Sequence, residues 1–171
     1  MTTKTSNELR ISMTPYDTLP DTTRVWIYQA NRPFEEKDIP AIRQKIQAFA
    51  QRWVSHNRQL RAFGDLLHRQ FVVLMVDENQ ADASGCSIDK SVYFLKQLQA
   101  EYEVDLFDRM TFTYKDGAQV VTATRDVFAR LYREGQISDD TLVFDPLVDN
   151  KGDFDRAWVK PLGQSWHKRM V

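Results

Sequence analysis

The sequence predicts an α+β domain with a ferredoxin-like split βαβ core, in which an antiparallel sheet carries helices on one face. Residues 71–76 are continuously apolar, which is typical of a strand in the centre of a sheet. Residues 39–53 place apolar side chains at steps of three and four, which predicts one buried helix face. The predicted elements follow the order β-α-β-β-α-β, which is the order of the ferredoxin-like core.

The first half of the domain contains three predicted strands and one helix. Residues 24–29 are β-branched and aromatic, which predicts the first strand. The helix at residues 39–53 follows several acidic residues, which favour the positive end of a helix dipole. Residues 60–67 and 71–76 then predict two strands that are joined by a short turn.

The second half begins with an amphipathic helix predicted at residues 88–102. Either Ser84 or Ser87 could cap this helix, and the sequence leaves both alternatives open. Residues 108–115 and 118–122 predict a hairpin around an Asp-Gly turn.

The last part of the chain predicts additions to the core. Residues 127–132 predict an extra short helix that Gly135 ends, and residues 141–144 predict a last strand. Residues 154–171 form an irregular C-terminal tail that is rich in aromatic side chains. We therefore expect this tail to pack on the domain.

Length and composition limit the class of protein. A chain of 171 residues suits one domain, and we expect a flexible N-terminal arm at residues 1–23 before a single domain at residues 24–171. With 23 basic and 24 acidic side chains the net charge is −1, which disfavours binding to nucleic acid. No apolar run approaches the ~18 residues that span a membrane, and no secretory signal is evident. A single cysteine predicts a reducing compartment, so the expected location is the cytoplasm.

Cys86 is the residue that most suggests chemistry. It lies between a predicted strand and a predicted helix, where unpaired N–H groups and the helix dipole favour a thiolate. A nucleophilic or redox thiol also needs a base, which could be His56, His68 or His167, and no spacing in the sequence decides among them. Asp77 or Glu78, at the end of the preceding strand, could assist. Candidate binding residues near the thiol or its base are Ser84, Gly85, Ser87, Asp89 and Trp166.

Other features oppose a reactive thiol or a further ligand. Asp82 and Asp89 carry negative charges that work against a thiolate, and a free cysteine often packs as a small apolar residue. No cysteine or histidine pair has the close spacing of a zinc motif, so we predict neither a metal nor a cofactor. Residues 166–169 interleave aromatic and basic side chains, as in sites for single-stranded RNA, but the net acidic chain favours a packed tail.

Five short stretches together resemble a family of small, uncharacterised bacterial proteins. The stretches are residues 24–29, 84–89, 105–109, 147–149 and 165–167. Members of that family often carry the automatic label "ABC transporter ATPase". The resemblance covers the chain from about Tyr16 to its C-terminus and implies no established activity.

That label implies ATP hydrolysis, which the residues do not support. Nucleotide-binding domains of transporters need a glycine-rich loop that ends in Gly-Lys-Ser or Gly-Lys-Thr, whose amides hold the phosphates. The six glycines of this chain stand apart, and none precedes Lys-Ser or Lys-Thr. ATP hydrolysis of this class is therefore rejected.

Two functions of different classes remain. The first is a non-enzymatic interaction or regulatory domain with a protein partner, for example a homodimer through the sheet. The second is a small thiol-dependent enzyme in which Cys86 is the nucleophile or redox thiol and His167 or His56 is its base. We favour the first, because no group of residues has a diagnostic catalytic spacing.

Overall fold

The structure is a computed structural model and describes residues 13–171. Residues 1–12, the first half of the predicted N-terminal arm, lie outside the described residues. Four helices and nine strands give residues 13–171 the α+β fold that the sequence predicts. In chain order the elements are β1 (Arg24–Gln29), α1 (Ile39–Arg52), β2 (Val54–Ser55), β3 (Arg58–Gln59), β4 (Arg61–Leu67), β5 (Phe71–Asp77), α2 (Gly85–Tyr102), β6 (Thr111–Asp116), β7 (Gln119–Thr124), α3 (Arg125–Arg133), β8 (Leu142–Phe144), α4 (Lys151–Ala157) and β9 (Val159–Pro161).

The first sheet contains three antiparallel strands in the order β1-β5-β4. All seven residues of β5 are buried, and β5 lies in the centre, as its continuous apolar sequence predicts. α1 and α2 both cover one face of this sheet. Ile42 and Ile46 of α1 and Leu95 of α2 pack there in one cluster with Leu74 of β5.

The opposite face of the first sheet is also covered. Val73 and Met75 of β5 pack against Phe144 of β8 and against Trp158, which follows α4. Because period-2 alternation sends neighbouring side chains of β5 to opposite faces, burial on both faces requires an apolar residue at nearly every position.

The second sheet contains four antiparallel strands in the order β7-β6-β8-β9. The predicted hairpin forms its β6 and β7, and Gly117 turns between them with a positive φ of 59°. Phe112 and Tyr114 of β6 pack against Phe128 of α3 in a separate cluster. This sheet therefore has a core of its own.

The ferredoxin-like arrangement extends only to the first three strands. A ferredoxin-like sheet would place the fourth predicted strand, β6, beside β1. In the structure β6 pairs with β7 and β8 instead. The apolar side chains of β6 bury against α3, which draws this strand into the second sheet and leaves part of the outer edge of β1 without a neighbouring strand.

The structure resolves two points of local geometry. Ser84 caps α2, because its Oγ accepts a hydrogen bond from the Ser87 N–H at 3.2 Å, so the alternative cap at Ser87 is wrong.

The tail predicted to be irregular contains part of α4 and all of β9, so that prediction is wrong in part. Asn150 starts α4 by accepting a hydrogen bond from the Asp153 N–H at 2.8 Å. The tail packs on the domain, where Trp158 is buried.

The described part of the predicted arm, residues 13–23, contacts the domain. The Thr14 N–H donates to the Ala62 carbonyl of β4 at 2.9 Å, and Leu19 is buried in the cluster that also contains Trp158. The Tyr16 hydroxyl donates to Asp155 of α4. Within residues 13–171, no helix is long and apolar enough to cross a membrane.

Candidate functional site

A groove with a volume of about 550 Å³ runs along the outer edge of β1. Three separate stretches of the chain and three single residues form its walls. We call it the β1 groove and define it by residues 25–29, 106–109 and 146–149, with Thr111, Trp166 and Met170.

The backbone explains why this edge of β1 is open. Opposite the start of β1, the Val25 N–H donates to the Asp149 carbonyl at 2.9 Å, and the Lys151 N–H donates to the Thr23 carbonyl at 2.9 Å. The chain then leaves β1, and the rest of this edge borders the groove. In an antiparallel pair, successive residues direct their N–H and C=O groups to alternate sides. Ile27 therefore points its backbone groups outward, as Val25 does.

The walls of the β1 groove are mainly apolar, and its rim is exposed. The Tyr28 ring meets the Phe107 ring edge to face at 5.5 Å. Phe107 is 37% exposed and Leu147 is 66% exposed, which is unusual for large apolar side chains that share one concave site. The Arg24 guanidinium lies 4.6 Å from the centre of the Trp26 ring, at one end of the groove.

Asp145 holds two walls of the groove in place although it does not line the groove. It is buried, and its carboxylate accepts hydrogen bonds from the Leu147 N–H at 3.0 Å, from Trp166 Nε1 at 2.8 Å and from Lys160 Nζ at 2.7 Å. Burial alone would raise the pKa of this carboxyl, but the hydrogen bonds from Lys160 and Trp166 lower the pKa below its usual value. The sequence prediction missed this residue.

Gln29 sets the other end of the groove. Its Nε2 donates to the Thr111 carbonyl at 3.0 Å and to Thr111 Oγ1 at 3.1 Å. These bonds connect the last residue of β1 to the first residue of β6. The open edge of β1 is therefore bounded by Asp149 at one end and by Thr111 at the other.

The groove carries one basic and two acidic side chains. Asp108 accepts a hydrogen bond from the Met110 N–H at 2.7 Å, and Asp149 accepts one from Asn150 Nδ2 at 3.2 Å, so both carboxylates serve their own turns. Arg109 is exposed, and within residues 13–171 it forms no ion pair. Its guanidinium remains available to an anionic group.

The predicted thiol site lies elsewhere, at the start of α2. Cys86 is exposed and is the second residue of α2, after the Ser84 cap. The Ser84 N–H donates to Ser55 Oγ at 3.2 Å, which holds the β2–β3 hairpin against this end of the helix. His56, in the turn of that hairpin, is exposed. Gly85 has open space around it, and Asp89 is exposed on the first turns of α2.

Ser87 has a structural role beside the thiol. It is buried, and its carbonyl accepts a hydrogen bond from Trp53 Nε1 at 2.8 Å. This contact joins the end of α1 to the start of α2. Trp166, by contrast, lines the β1 groove and does not belong to the surroundings of α2.

His167 lies in the core of the second sheet. It is 1% exposed, stacks on the Trp166 ring at 3.8 Å and meets the Phe112 ring edge to face at 5.3 Å. Burial lowers its pKa to about 4, so the imidazole is neutral near pH 7. Its Nδ1 lies 2.6 Å from Ser165 Oγ, which also accepts the His167 N–H at 3.4 Å and caps the final helical turn. The contact between Ser165 and His167 is therefore a local cap of the final helical turn.

The two carboxylates proposed to assist the thiol are paired with arginines. Asp77 is buried and lies 3.2 Å from Arg61, and Glu78 lies 3.2 Å from Arg24. Within residues 13–171, no three histidine, cysteine or acidic side chains come together as a metal site would require. The structure thus gives Asp77 and Glu78 partners of their own at the end of β5.

Four of the five stretches that carry the family resemblance contribute residues to the β1 groove, and only residues 84–89 do not. No family model, curated protein or solved structure matches this chain. Function is accordingly inferred from the site itself.

Proposed function

We propose that this chain is a non-enzymatic interaction domain that recognises a partner protein in the β1 groove. One observation carries the proposal: a groove of about 550 Å³ keeps large apolar side chains exposed at its rim. Exposed apolar surface that is concave and bordered by polar groups is typical of recognition sites. The rim residues Phe107 and Leu147 would provide the contact area.

The wall structure supports recognition by a pre-formed site. Asp145 fixes the position of Leu147 through its N–H and of Trp166 through its indole. Gln29 fixes the distance between β1 and β6. A partner that binds to walls already held in position loses less affinity to the ordering of side chains.

The chemistry of the groove favours binding over catalysis. Among the described residues, those that line the groove include no cysteine, histidine, serine or lysine. Nucleophilic catalysis needs a nucleophile and a base within hydrogen-bonding reach. The two carboxylates of the groove, Asp108 and Asp149, already accept hydrogen bonds within their own turns.

Site-specific photo-crosslinking in the native host tests the proposal. A benzophenone amino acid at position 147 should give adducts of discrete mass, which mass spectrometry can identify. The matched control is position 93, because Tyr93 is also 66% exposed but lies on α2, outside the groove. The absence of discrete adducts from position 147, or equal adducts from both positions, would contradict the proposal.

The thiol-dependent enzyme is the second candidate, and one observation favours it: Cys86 is exposed in the first turn of an 18-residue helix. This function requires a thiolate at neutral pH. The rate of iodoacetamide alkylation between pH 5 and pH 9 measures it directly. A rate that rises only well above pH 7 would exclude the nucleophile, and a rate already maximal at pH 6 would exclude the purely structural cysteine.

A further inference from the structure

We propose that the partner segment binds in the β1 groove as an extended strand, adding to the outer edge of β1, and that it carries a carboxylate that pairs with Arg109. This inference rests on the proposed function and names the chemistry of the partner. Strand addition to a free sheet edge is an established mode of peptide recognition, in which the backbone contributes affinity and alternate side chains contribute specificity.

The hydrogen-bonding direction of β1 is the first argument. The Ala30 N–H, directly after β1, donates to the Gln70 carbonyl on the β5 side at 2.8 Å. Even-numbered residues of β1 therefore face β5, and odd-numbered residues face outward. Val25 already uses its outward N–H to bind Asp149. Among the described residues, the outward N–H and C=O of Ile27 have no such partner and border the groove.

The length of the free edge is the second argument. It begins after the Val25–Asp149 hydrogen bond and ends where Gln29 binds Thr111. About three residues of strand, or roughly 10 Å, fit between these limits. A partner residue opposite Ile27 could both donate to and accept from it. The backbone around residue 149 already pairs with the start of β1, so the added strand would continue an existing ladder.

The two sides of the groove are the third argument. Tyr28 belongs to the cluster on the helix-covered face of the first sheet, and Phe107 packs on its ring. Ile27 and Val148 belong to the cluster on the opposite face. Successive side chains of an added strand would point to these two sides in turn. Both sides are apolar, so we expect apolar residues at neighbouring positions of the partner.

Charge is the fourth argument. Arg109 lines the groove as its one basic residue and has no ion pair among residues 13–171. Asp108 and Asp149 keep their negative charges and each accept a hydrogen bond within their own turns, so we expect a partner carboxylate only beside Arg109. A carboxylate of the partner next to its apolar residues would complement this guanidinium. The expected partner segment is therefore extended, apolar and acidic at one end.

Selection from a displayed library of random nine-residue peptides, with the full chain immobilised, provides the probe. The enriched peptides should combine consecutive apolar residues with an Asp or Glu, and fluorescence polarisation then measures their Kd. N-methylation of each peptide position in turn should weaken binding by about tenfold at one backbone position, because Ile27 is the outward-facing residue of the free edge and pairs with one peptide N–H. This scan uses the wild-type protein, so no variant needs to fold.

Two protein variants provide independent tests. Ile27→Pro removes the outward N–H at a position that makes no ladder bond to β5, and it should weaken binding about tenfold relative to Ile27→Val. Arg109→Glu should weaken the acidic peptide about tenfold and favour its lysine-substituted version. Arg125→Glu is the matched control, because Arg125 is exposed but lies outside the groove.

The outcomes separate this inference from the proposed function. An N-methyl scan with no sensitive backbone position, or equal binding by Ile27→Pro and Ile27→Val, would overturn strand addition, and the groove would remain the recognition site if Leu147→Ser weakens the same peptide. If position 147 gives crosslinks but the library selection enriches no peptide, strand addition by an extended segment would also be overturned. Self-association that sedimentation detects and Leu147→Ser abolishes would identify a second copy as the occupant and overturn the peptide.

Discussion

The start of α2 and the β1 groove are the two regions of this molecule with functional features, and they are built in opposite ways. The start of α2 is one short stretch, in which Ser84 caps the helix and Cys86 is exposed in its first turn. The groove combines stretches of the chain that lie far apart in sequence, at residues 25–29, 106–109 and 146–149. One region presents an exposed thiol, and the other presents a concave surface.

The difference shows what each kind of site requires. At the helix start, hydrogen bonds to Ser84 and Ser55 satisfy backbone N–H groups. Among residues 13–171, no histidine forms a hydrogen bond with the Cys86 thiol, and His167 pairs with Ser165. The groove contains no unusual residue type, but buried contacts through Asp145 and Gln29 hold its walls. A conspicuous residue marks possible chemistry, whereas a recognition site is made by ordinary residues in a fixed arrangement.

Of all the changes considered, acidification should lower the stability most, and it should act through His167 beside the groove. His167 stacks on Trp166 of the groove wall, and burial lowers its pKa to about 4 from 6.5. Between these values the unfolded chain binds a proton that the folded chain does not, so stability falls as the pH falls. The free energy of unfolding should decrease by at most about 3 kcal/mol between pH 7 and pH 4.

Urea unfolding at several pH values measures this effect. The variant His167→Phe should lose most of the pH dependence, and the control His56→Gln should retain it, because His56 is exposed on the β2–β3 turn. Burial also lowers the pKa of His68, so a residual dependence of the same sign should remain. Identical pH profiles for wild type and His167→Phe would contradict the prediction.

Removal of the Asp145 carboxylate should disturb the groove more than any change at the start of α2. Asp145→Ala leaves Lys160, Trp166 and the Leu147 N–H without their acceptor. We expect a loss of about 2 kcal/mol in stability, because Lys160 is partly exposed and can be solvated. The selected peptide should also bind at least tenfold more weakly. Asp140→Ala, at an exposed aspartate outside the groove, should change stability by less than about 0.5 kcal/mol.

Loss of the α2 cap should destabilise the domain without changing the groove. Ser84→Ala removes the acceptor of the Ser87 N–H and should cost about 1 kcal/mol, whereas Ser84→Asp keeps a capping oxygen and should cost less. Thermal unfolding measures the stability, and fluorescence polarisation measures peptide binding. A change in peptide Kd above twofold for Ser84→Ala would show that the two regions are coupled.

Substitution of the thiol should have the smallest effect. Cys86 is exposed, so Cys86→Ala should change the free energy of unfolding by less than about 0.5 kcal/mol. Alkylation of Cys86 should likewise leave peptide binding unchanged. Weaker binding after alkylation in the wild type, with no effect of the reagent on Cys86→Ala, would instead connect the thiol to recognition.

The sequence alone determined the elements whose formation depends on local pattern. The continuous apolar run of β5 identifies a central strand, because a strand buried on both faces needs an apolar residue at nearly every position. The helical periodicity of α1 identifies a buried helix face, because apolar residues recur at steps of three and four along one face. The hairpin between β6 and β7 follows from its Asp-Gly turn. The sequence missed α4, which has only seven residues and includes Gly152, so its intrinsic preference for helix is weak.

Only the tertiary structure decided which strand pairs with which and where a groove remains. β6 has a strand pattern that suits either sheet, and its packing against α3 places it in the second sheet. The contact between Asp145 and Trp166 joins residues 21 positions apart through a side-chain hydrogen bond, which no periodicity records. Secondary structure is fixed by neighbours in sequence, but strand partners and concave surfaces depend on contacts between distant residues, and these exist only once the chain has folded.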